Sequence, residues 1–294
     1  TGDFCPSPPD IYSLSSELHH WILEHPIRLI NLEGVQTIQT YHEQKYSFLH
    51  DIPAQQFNPI FFPNGSKEPT FNWVSLVNNH AFDRGINAYN QTMKHLQNQG
   101  INILTSDLSI QEVNSVKIGF FALTFGNNLF WFHHPKVISL KPQDLIKNTP
   151  IRESILERIR KYKSQVDFLI LSYHWGYEAE YIPSELQKQC FDLLSHTGVN
   201  LLYGHHSHIV QPFEISLTQE CLCFYSCGNF LSDMPLKIYQ QGVFYSVSLD
   251  TSTLKIVEVT PLFFEKTPQG LMTQIPLEEV ESYHYWNESG LILP

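Results

Sequence analysis

Between residues 166 and 208 the chain reads as strand, helix and strand, and each strand ends on histidine. VDFLILSY (166–173) is an apolar strand that stops at His174. PSELQKQCFDLLSHTG (183–198) has the marks of a helix, with Pro183 near its first turn and Gly198 as terminator. VNLLY (199–203) is the next strand, and it runs into GHHSH (204–208). Three histidines within four positions at one bend ask for a chemical reason. The alternation of strand and helix restricts the fold to an α/β core.

The flanking sequence extends this pattern. A helix is expected over 16–24 (SELHHWILE), a short strand at 28–31 (RLIN) and a buried strand at 71–77 (FNWVSLV). Another helix is expected over about 85–99, closed by Gly100, then a strand at 116–124 (VKIGFFALT) and an amphipathic helix over 151–164. Residues 40–69, rich in Pro, Gln, Asn and Phe without periodicity, read as loop with short strands. After about residue 205 the strands CLCFYSC (221–227), GVFYSVSLD (242–250) and LKIVEVTPLFF (254–264) follow one another without long helices. The sequence therefore predicts one α/β domain over 1–264, finished by an antiparallel element, with 265–294 as an appended tail.

Composition narrows the partners. At 294 residues and 42% hydrophobic content the chain can bury a sizeable core. The net charge of −11, with no Lys/Arg stripe, argues against nucleic acid and against anionic lipid. It leaves room for an anionic small-molecule or polymer substrate, because a bound cation reverses the local potential. No apolar stretch is long enough to span a bilayer. Cys5, Cys190, Cys221, Cys223 and Cys227 make a poor disulfide framework and read as core thiols in a reducing compartment.

The most informative pattern is polar residues at strand ends. Asp3 follows Gly2, and Glu33 follows RLIN. Asn78, Asn79 and His80 follow FNWVSLV, His174 follows VDFLILSY, and His205, His206 and His208 follow VNLLY. In an open α/β sheet the loops beyond the carboxyl ends of strands gather at one crevice, where ligands bind. Carboxylate, amide and imidazole donors suit two divalent cations, with Mn, Fe or Zn the candidates. Two cations about 3.5–4 Å apart can activate a water and hold both oxygens of an in-line phosphoryl displacement. The doublets His19–His20 and His133–His134 lie outside this pattern and read as surface or structural.

NLEG (31–34), NNHAFDRG (78–85), HWGYEAEY (174–181), GHHSHIVQPFE (204–214) and YSCGNF (225–230) together resemble the CapA family. That family lies within the calcineurin-like metallophosphoesterases and is associated with poly-γ-glutamate capsule production. The motifs fall in the family's order over roughly residues 2–233. The resemblance implies a four-layer α/β/β/α sandwich with a dinuclear metal site at the strand C-terminal ends. It implies Asp3 and His208 as ligands of the first metal and Glu33 as the bridge. Asn79, His174 and His206 would then bind the second metal, and His80 would be the catalytic histidine. The wider superfamily has histidine two residues after the aspartate, where this chain has Cys5; either the first site is under-coordinated or a thiolate substitutes. The family's first strand normally precedes the GD pair, so this chain is expected to lack it.

Six further residues stand near these motifs. Asp83 reads either as the N-cap of the following helix or as the group that orients His80. Asn78 reads as a turn residue or a substrate contact, and His205 as a pocket residue touching phosphate or a metal-bound water. Glu178, Glu214 and Asn229 match family positions, with Glu178 and Asn229 assigned to substrate contact and Asn229 to a loop over the site. Three functions stay open. One is a metal-dependent hydrolase of the phosphoesterase type, linked to capsular poly-γ-glutamate or another envelope polymer. The others are a non-catalytic metal-containing binding or assembly factor, and a metal-free relic. The cysteines favour the bacterial cytoplasm, whereas family relatives often sit at the envelope. The loops 40–69 and 125–150, where specificity would reside, carry no readable signature.

Overall fold

The computed structural model describes residues 1–6, 12–37, 49–129, 133–216 and 221–288. The strands in chain order are β1 (Asp3–Cys5), β2 (Ser13–Leu14), β3 (Leu29–Leu32), β4 (Val35–Thr37), β5 (Asp51–Pro53) and β6 (Trp73–Ser75). Next come β7 (Asn102–Leu104), β8 (Ser109–Val113), β9 (Val116–Thr124), β10 (Phe168–His174), β11 (Leu201–His205) and β12 (Phe213–Ser216). After these follow β13 (Cys221–Phe224), β14 (Asn229–Ser232), β15 (Gln241–Asp250), β16 (Lys255–Lys266) and β17 (Leu271–Gln274). Interspersed among them are the helices α1 (Ser16–Leu23), α2 (Ala54–Phe61), α3 (Gly85–Asn98), α4 (Pro142–Ile146), α5 (Pro150–Lys163), α6 (Glu185–Thr197) and α7 (Tyr283–Glu288).

The result is an α/β fold with mixed sheets. A five-stranded sheet, ordered β14-β1-β3-β6-β7, is parallel throughout. A six-stranded sheet, ordered β12-β13-β11-β10-β9-β8, is parallel at its centre and antiparallel at both edges. Their inner faces share one apolar core, in which the Trp73 ring of β6 stacks on Phe120 of β9 with centroids 4.4 Å apart. A second core lies between the six-stranded sheet and α4, α5 and α6. A four-stranded sheet, β15-β16-β17-β2, joins the first core through Phe244 and Phe264, which pack against Phe230 of β14. Among the described residues no helix is long and apolar enough to cross a membrane.

Local chemistry accounts for most element boundaries. Ser184 accepts from the Gln187 N–H while the Gln187 side chain accepts from Ser184, a capping box that starts α6. Gly198 ends that helix in the left-handed region at φ 115°, a conformation that favours glycine. The strand expected at 221–227 is shorter. After β13 the backbone turns at Gly228 and continues as β14, which crosses to the other sheet and lies beside β1. Segments from the second half of the sequence therefore build both sheets.

A second stretch departs from expectation. Within 40–69, residues 54–61 form α2 rather than loop, although the helix contains Pro59. Phe57, Ile60 and Phe61 are fully buried at i, i+3 and i+4 spacing, and Phe57 and Phe61 meet Phe4 edge-on. That burial outweighs the poor propensity of an amide-rich sequence with one proline. Residues 38–48, most of them in the same stretch, lie outside the described residues, as do 130–132 of the second loop.

Leu171 on β10 is fully buried in the helix-side core. Leu171→Ala is expected to cost about 2–5 kcal/mol, because the surrounding core cannot collapse fully onto the space left. The check is a lower urea midpoint at unchanged m-value; a midpoint unmoved from wild type would contradict this assignment of the core.

Candidate metal centre

The carboxyl ends of β1, β3, β6, β10 and β11 come together at one end of the two sheets, and the buried polar residues collect there. Two glycines allow the approach. A side chain at Gly2 would meet the Gly228 carbonyl oxygen at 1.9 Å, and one at Gly204 would meet the Tyr225 carbonyl oxygen at 2.1 Å. Neither position could carry a Cβ without backbone movement. The turn after β11 holds His206 at φ 96° and His208 at φ 60°, unusual values for side chains of that size.

Glu33 sits at the middle. Its carboxylate is completely buried, and neither oxygen has a hydrogen-bond partner among the described residues. Around it are His174 Nε2 at 3.4 Å and His80 Nε2 at 3.9 Å from Oε1, and His208 Nδ1 at 3.8 Å from Oε2. Two groups of potential ligand atoms, each within 4.8 Å of one another, share this residue: Glu33–His174–His206 and Cys5–Glu33–His208. A third such group, Glu178–His206–His208, lies at the mouth of the cleft, where Glu178 is exposed.

The donors left without partners define what the centre suits. Among the described residues, both Glu33 oxygens, Asn79 Oδ1, His174 Nε2 and His206 Nδ1 are buried and lack hydrogen bonds. Buried polar atoms are normally satisfied, so several orphaned acceptors at one place form a donor set that fits a cation. These buried histidine and acidic groups could hold metal ions. Burial pushes His174 and His206 well below the usual histidine range, which favours the neutral imidazole that ligates metals. Burial also opposes charge on His208, but Glu33 and Asp3 beside it outweigh this and raise it. For Glu33, burial dominates over the histidines and raises the carboxyl above its ordinary range.

Asp3 has different surroundings. Oδ1 accepts from Asn31 Nδ2 at 2.8 Å and lies 3.2 Å from His205 Nδ1; Oδ2 accepts from the His206 N–H at 3.2 Å. Against the cost of burial, the hydrogen bond and charge of His205, with His174 and His208, hold this carboxyl below the usual carboxylate range. Asp3 belongs to neither Glu33 group.

His80 is held by Asp83. Nδ1–H donates to Asp83 Oδ2 at 2.6 Å, leaving Nε2 toward Glu33 and the cleft. Asp83 Oδ2 also accepts the His50 N–H at 2.7 Å, and α3 has no side-chain cap. Asp83 is therefore not the N-cap that its position before the helix suggests; its carboxylate is drawn to the histidine instead. Burial raises Asp83 to about 7 and lowers His80, since a charge on either would be desolvated.

Three residues had no sequence signal beyond their motifs. His50 stacks face to face on His80, with centroids 3.6 Å apart and planes 3° from parallel, and its Nδ1–H donates to the Glu33 carbonyl oxygen. Asn31 links Asp3 and Asn78. Asn128 reaches from the 125–129 loop to Asn79 and the His80 ring. A buried Asn within NLEG was the available hint for Asn31; nothing local marks the others.

The expected substrate contacts divide. Cys5, His50, Asn79, His80, Asn128, Glu178 and His208 line one cleft, so Glu178 does face it. Asn78 does not: its amide donates to Asn31 Oδ1 and the Leu32 carbonyl oxygen and its Oδ1 accepts the His80 N–H, which makes it a turn brace. His205 is buried against Asp3 and Tyr203 rather than open to a ligand. Asn229 is buried, accepting from His208 Nδ1–H at 2.9 Å and donating to the Tyr239 carbonyl oxygen, so it positions His208. Glu214 lies away from the cleft and accepts from the Tyr225 hydroxyl. His20 and His133 are exposed, His19 is half-buried, and His134 packs beside Tyr89.

The chain is similar to known proteins. The family described as "Bacterial capsule synthesis protein PGA_cap" matches residues 8–234. The PGA biosynthesis protein CapA of Bacillus subtilis (strain 168) is 26% identical over 248 residues, covering 81% of this chain and 62% of that protein. The capsule biosynthesis protein CapA of Bacillus anthracis is 25% identical over 207 residues, covering 67% of this chain and 48% of that protein. The chain thus spans less than two thirds of the length of either relative. Among solved structures, a novel phosphatase from Mycoplasma pneumoniae aligns with TM-score 0.49 and 13% identity, over 99% of this chain and 96% of that one. A hypothetical protein from Thermus thermophilus aligns with TM-score 0.48 and 12% identity, over 87% of this chain and 97% of that one. The family match takes in Glu33, Asn79, His174 and the histidines at 205, 206 and 208, and on its extent the chain belongs to the PGA_cap family of bacterial capsule synthesis proteins.

Proposed function

We propose that the chain is a metal-dependent hydrolase acting on phosphoesters or similarly anionic groups, in the metabolism of capsular poly-γ-glutamate or another envelope polymer. One observation carries this reading: buried donor atoms without partners lie beside a histidine whose remote nitrogen is tied to a carboxylate. Glu33, common to both ligand groups, would stand between two divalent cations. Asn79, His174 and His206 would complete one position, and Asp3 and His208 the other; Mn, Fe and Zn all suit these donors. When bound, the cations supply a water of lowered pKa and neutralise charge on a phosphoryl group.

The remaining work falls to the chain itself. His80 would pass a proton from Nε2 to the departing oxygen, because its Nδ1–H is committed to Asp83. Asp83 fixes the tautomer and stabilises the imidazolium, and the His50 ring stacked on His80 keeps its plane. Asn128 ties the 125–129 loop to His80 and Asn79, so the same loop that rims the cleft also orders the two.

Three outcomes test this. Adding Mn²⁺ or Zn²⁺ to chelator-treated protein should raise its stability by about 2.7 kcal/mol at a hundredfold excess over the dissociation constant. Calorimetry showing no metal-dependent shift would remove the basis for the reading. Glu33→Gln should lower bound metal, measured by elemental analysis, since it removes the shared charge. His80→Ala should leave metal content intact while turnover of a generic aryl phosphate ester falls about 10²–10⁴-fold. A His80→Ala protein as active as wild type on every ester tried would remove that residue from the chemistry. Tight binding of poly-γ-glutamate with no chelator-sensitive turnover would replace the hydrolase by a binding factor.

A further inference from the structure

We infer that Cys5 is a thiolate ligand on the Glu33–His208 side of the centre, and that it makes this half selective for zinc-like cations over manganese and magnesium. The inference rests on the reading of the site as a metal centre and assigns its two halves different chemical character.

The five cysteines are not equivalent. Cys190, Cys221 and Cys223 belong to the core between the six-stranded sheet and its helices, and Cys227 to the core between the sheets. Cys5 belongs to neither, and it lines the cleft together with Asn79, His80 and His208. Strand geometry explains the difference. Alternation on β1 puts Asp3 and Cys5 on the face toward the centre and sends Phe4 the other way, into Phe57, Phe61 and Phe230. Cys5 Sγ therefore lies within 4.8 Å of a Glu33 oxygen and a His208 nitrogen.

Two neighbouring details support ligation over simple packing. The Glu33 carboxylate that faces Sγ is fully buried with both oxygens lacking partners among the described residues. Asn229 holds the His208 ring in place: its Oδ1 lies 2.9 Å from Nδ1 and its amide donates to the Tyr239 carbonyl oxygen. The two sides thus differ in donors: Cys5 adds sulfur to the oxygen and nitrogen of Glu33, Asp3 and His208, whereas Glu33, Asn79, His174 and His206 offer only oxygen and nitrogen on the other. Thiolate selects zinc, iron and cobalt over the hard cations, whereas the oxygen and nitrogen side accepts manganese as well. Metal capture exchanges the S–H bond of Cys5 for a sulfur–metal bond, and that proton leaves to solvent.

The decisive measurement is electronic absorption of the full chain, freed of metal by a chelator under reducing conditions and titrated with Co²⁺. Visible d–d bands report that the centre binds cobalt; a near-ultraviolet thiolate-to-cobalt charge-transfer band reports sulfur in the coordination sphere. Wild type is expected to show both, and Cys5→Ser to keep the visible bands and lose the near-ultraviolet one. Cys227→Ser should retain both. Cys5→Ser should also weaken Zn²⁺ binding more than Mn²⁺ binding. Visible bands in wild type without the charge-transfer band overturn the inference, and this spectrum needs no variant to fold. A charge-transfer band that survives in Cys5→Ser overturns it equally. If wild type binds no cobalt at all, the metal-centre reading fails first and the role of Cys5 falls with it.

Discussion

The architecture turns on one buried carboxylate. Glu33 is removed from water with neither oxygen hydrogen-bonded among the described residues, and moving such a charge into a protein interior costs several kcal/mol unless it is compensated. The compensation nearby is imidazole from three separate segments, His80, His174 and His208. Those side chains are themselves pushed by burial or by the neighbouring acids, so no member of the cluster is settled without the rest. A cation resolves this conflict more completely than protons can. Bound there, it would satisfy carboxylate, amide and imidazole at once and leave the histidines neutral.

The fold serves that cluster by aligning two sheets so that their carboxyl ends meet. The five-stranded sheet delivers Asp3, Cys5 and Glu33, followed by the Asn79–His80 turn; the six-stranded sheet delivers His174 and the 205–208 histidines. Gly2 and Gly204 each pass close to the backbone of the 225–228 connection that links the two sheets. The positive φ values at His206 and His208 are the local cost of aiming two rings from one turn into the same space. A layer of amides, Asn31, Asn78 and Asn229, then fixes the charged groups from behind. The span matched to the capsule synthesis family contains most of this cluster, while Asp3 and Cys5 fall before it.

Much of this was legible along the chain. The strand–helix alternation from 166 to 205, the capped helix at 185–197 and the histidine at each strand end were local signals, and a local signal is enough to set an element. What periodicity misjudged was set by distant packing. Residues 54–61 became helical because Phe57, Ile60 and Phe61 found Phe4 and its neighbours, contacts that no window around them contains. The same holds in the site. His205 stood in the most conspicuous motif yet faces Asp3 from below, while His50, in a stretch without pattern, stacks on His80. Asp83 looked like a helix cap by position, and its geometry made it the partner of a histidine.

The sequence by itself determined the order of strands and helices, the placing of acids, amides and imidazoles at strand ends, and the absence of a basic stripe, because each is a matter of residue type and short-range spacing. Only the tertiary structure decided which of those residues share a cleft, which are spent bracing turns, and which of five cysteines leaves the core to face Glu33. The physical reason is that charge compensation and hydrogen-bond satisfaction are settled between segments as far apart as residues 3 and 229. They are settled by burial, and burial is a property of the packed molecule.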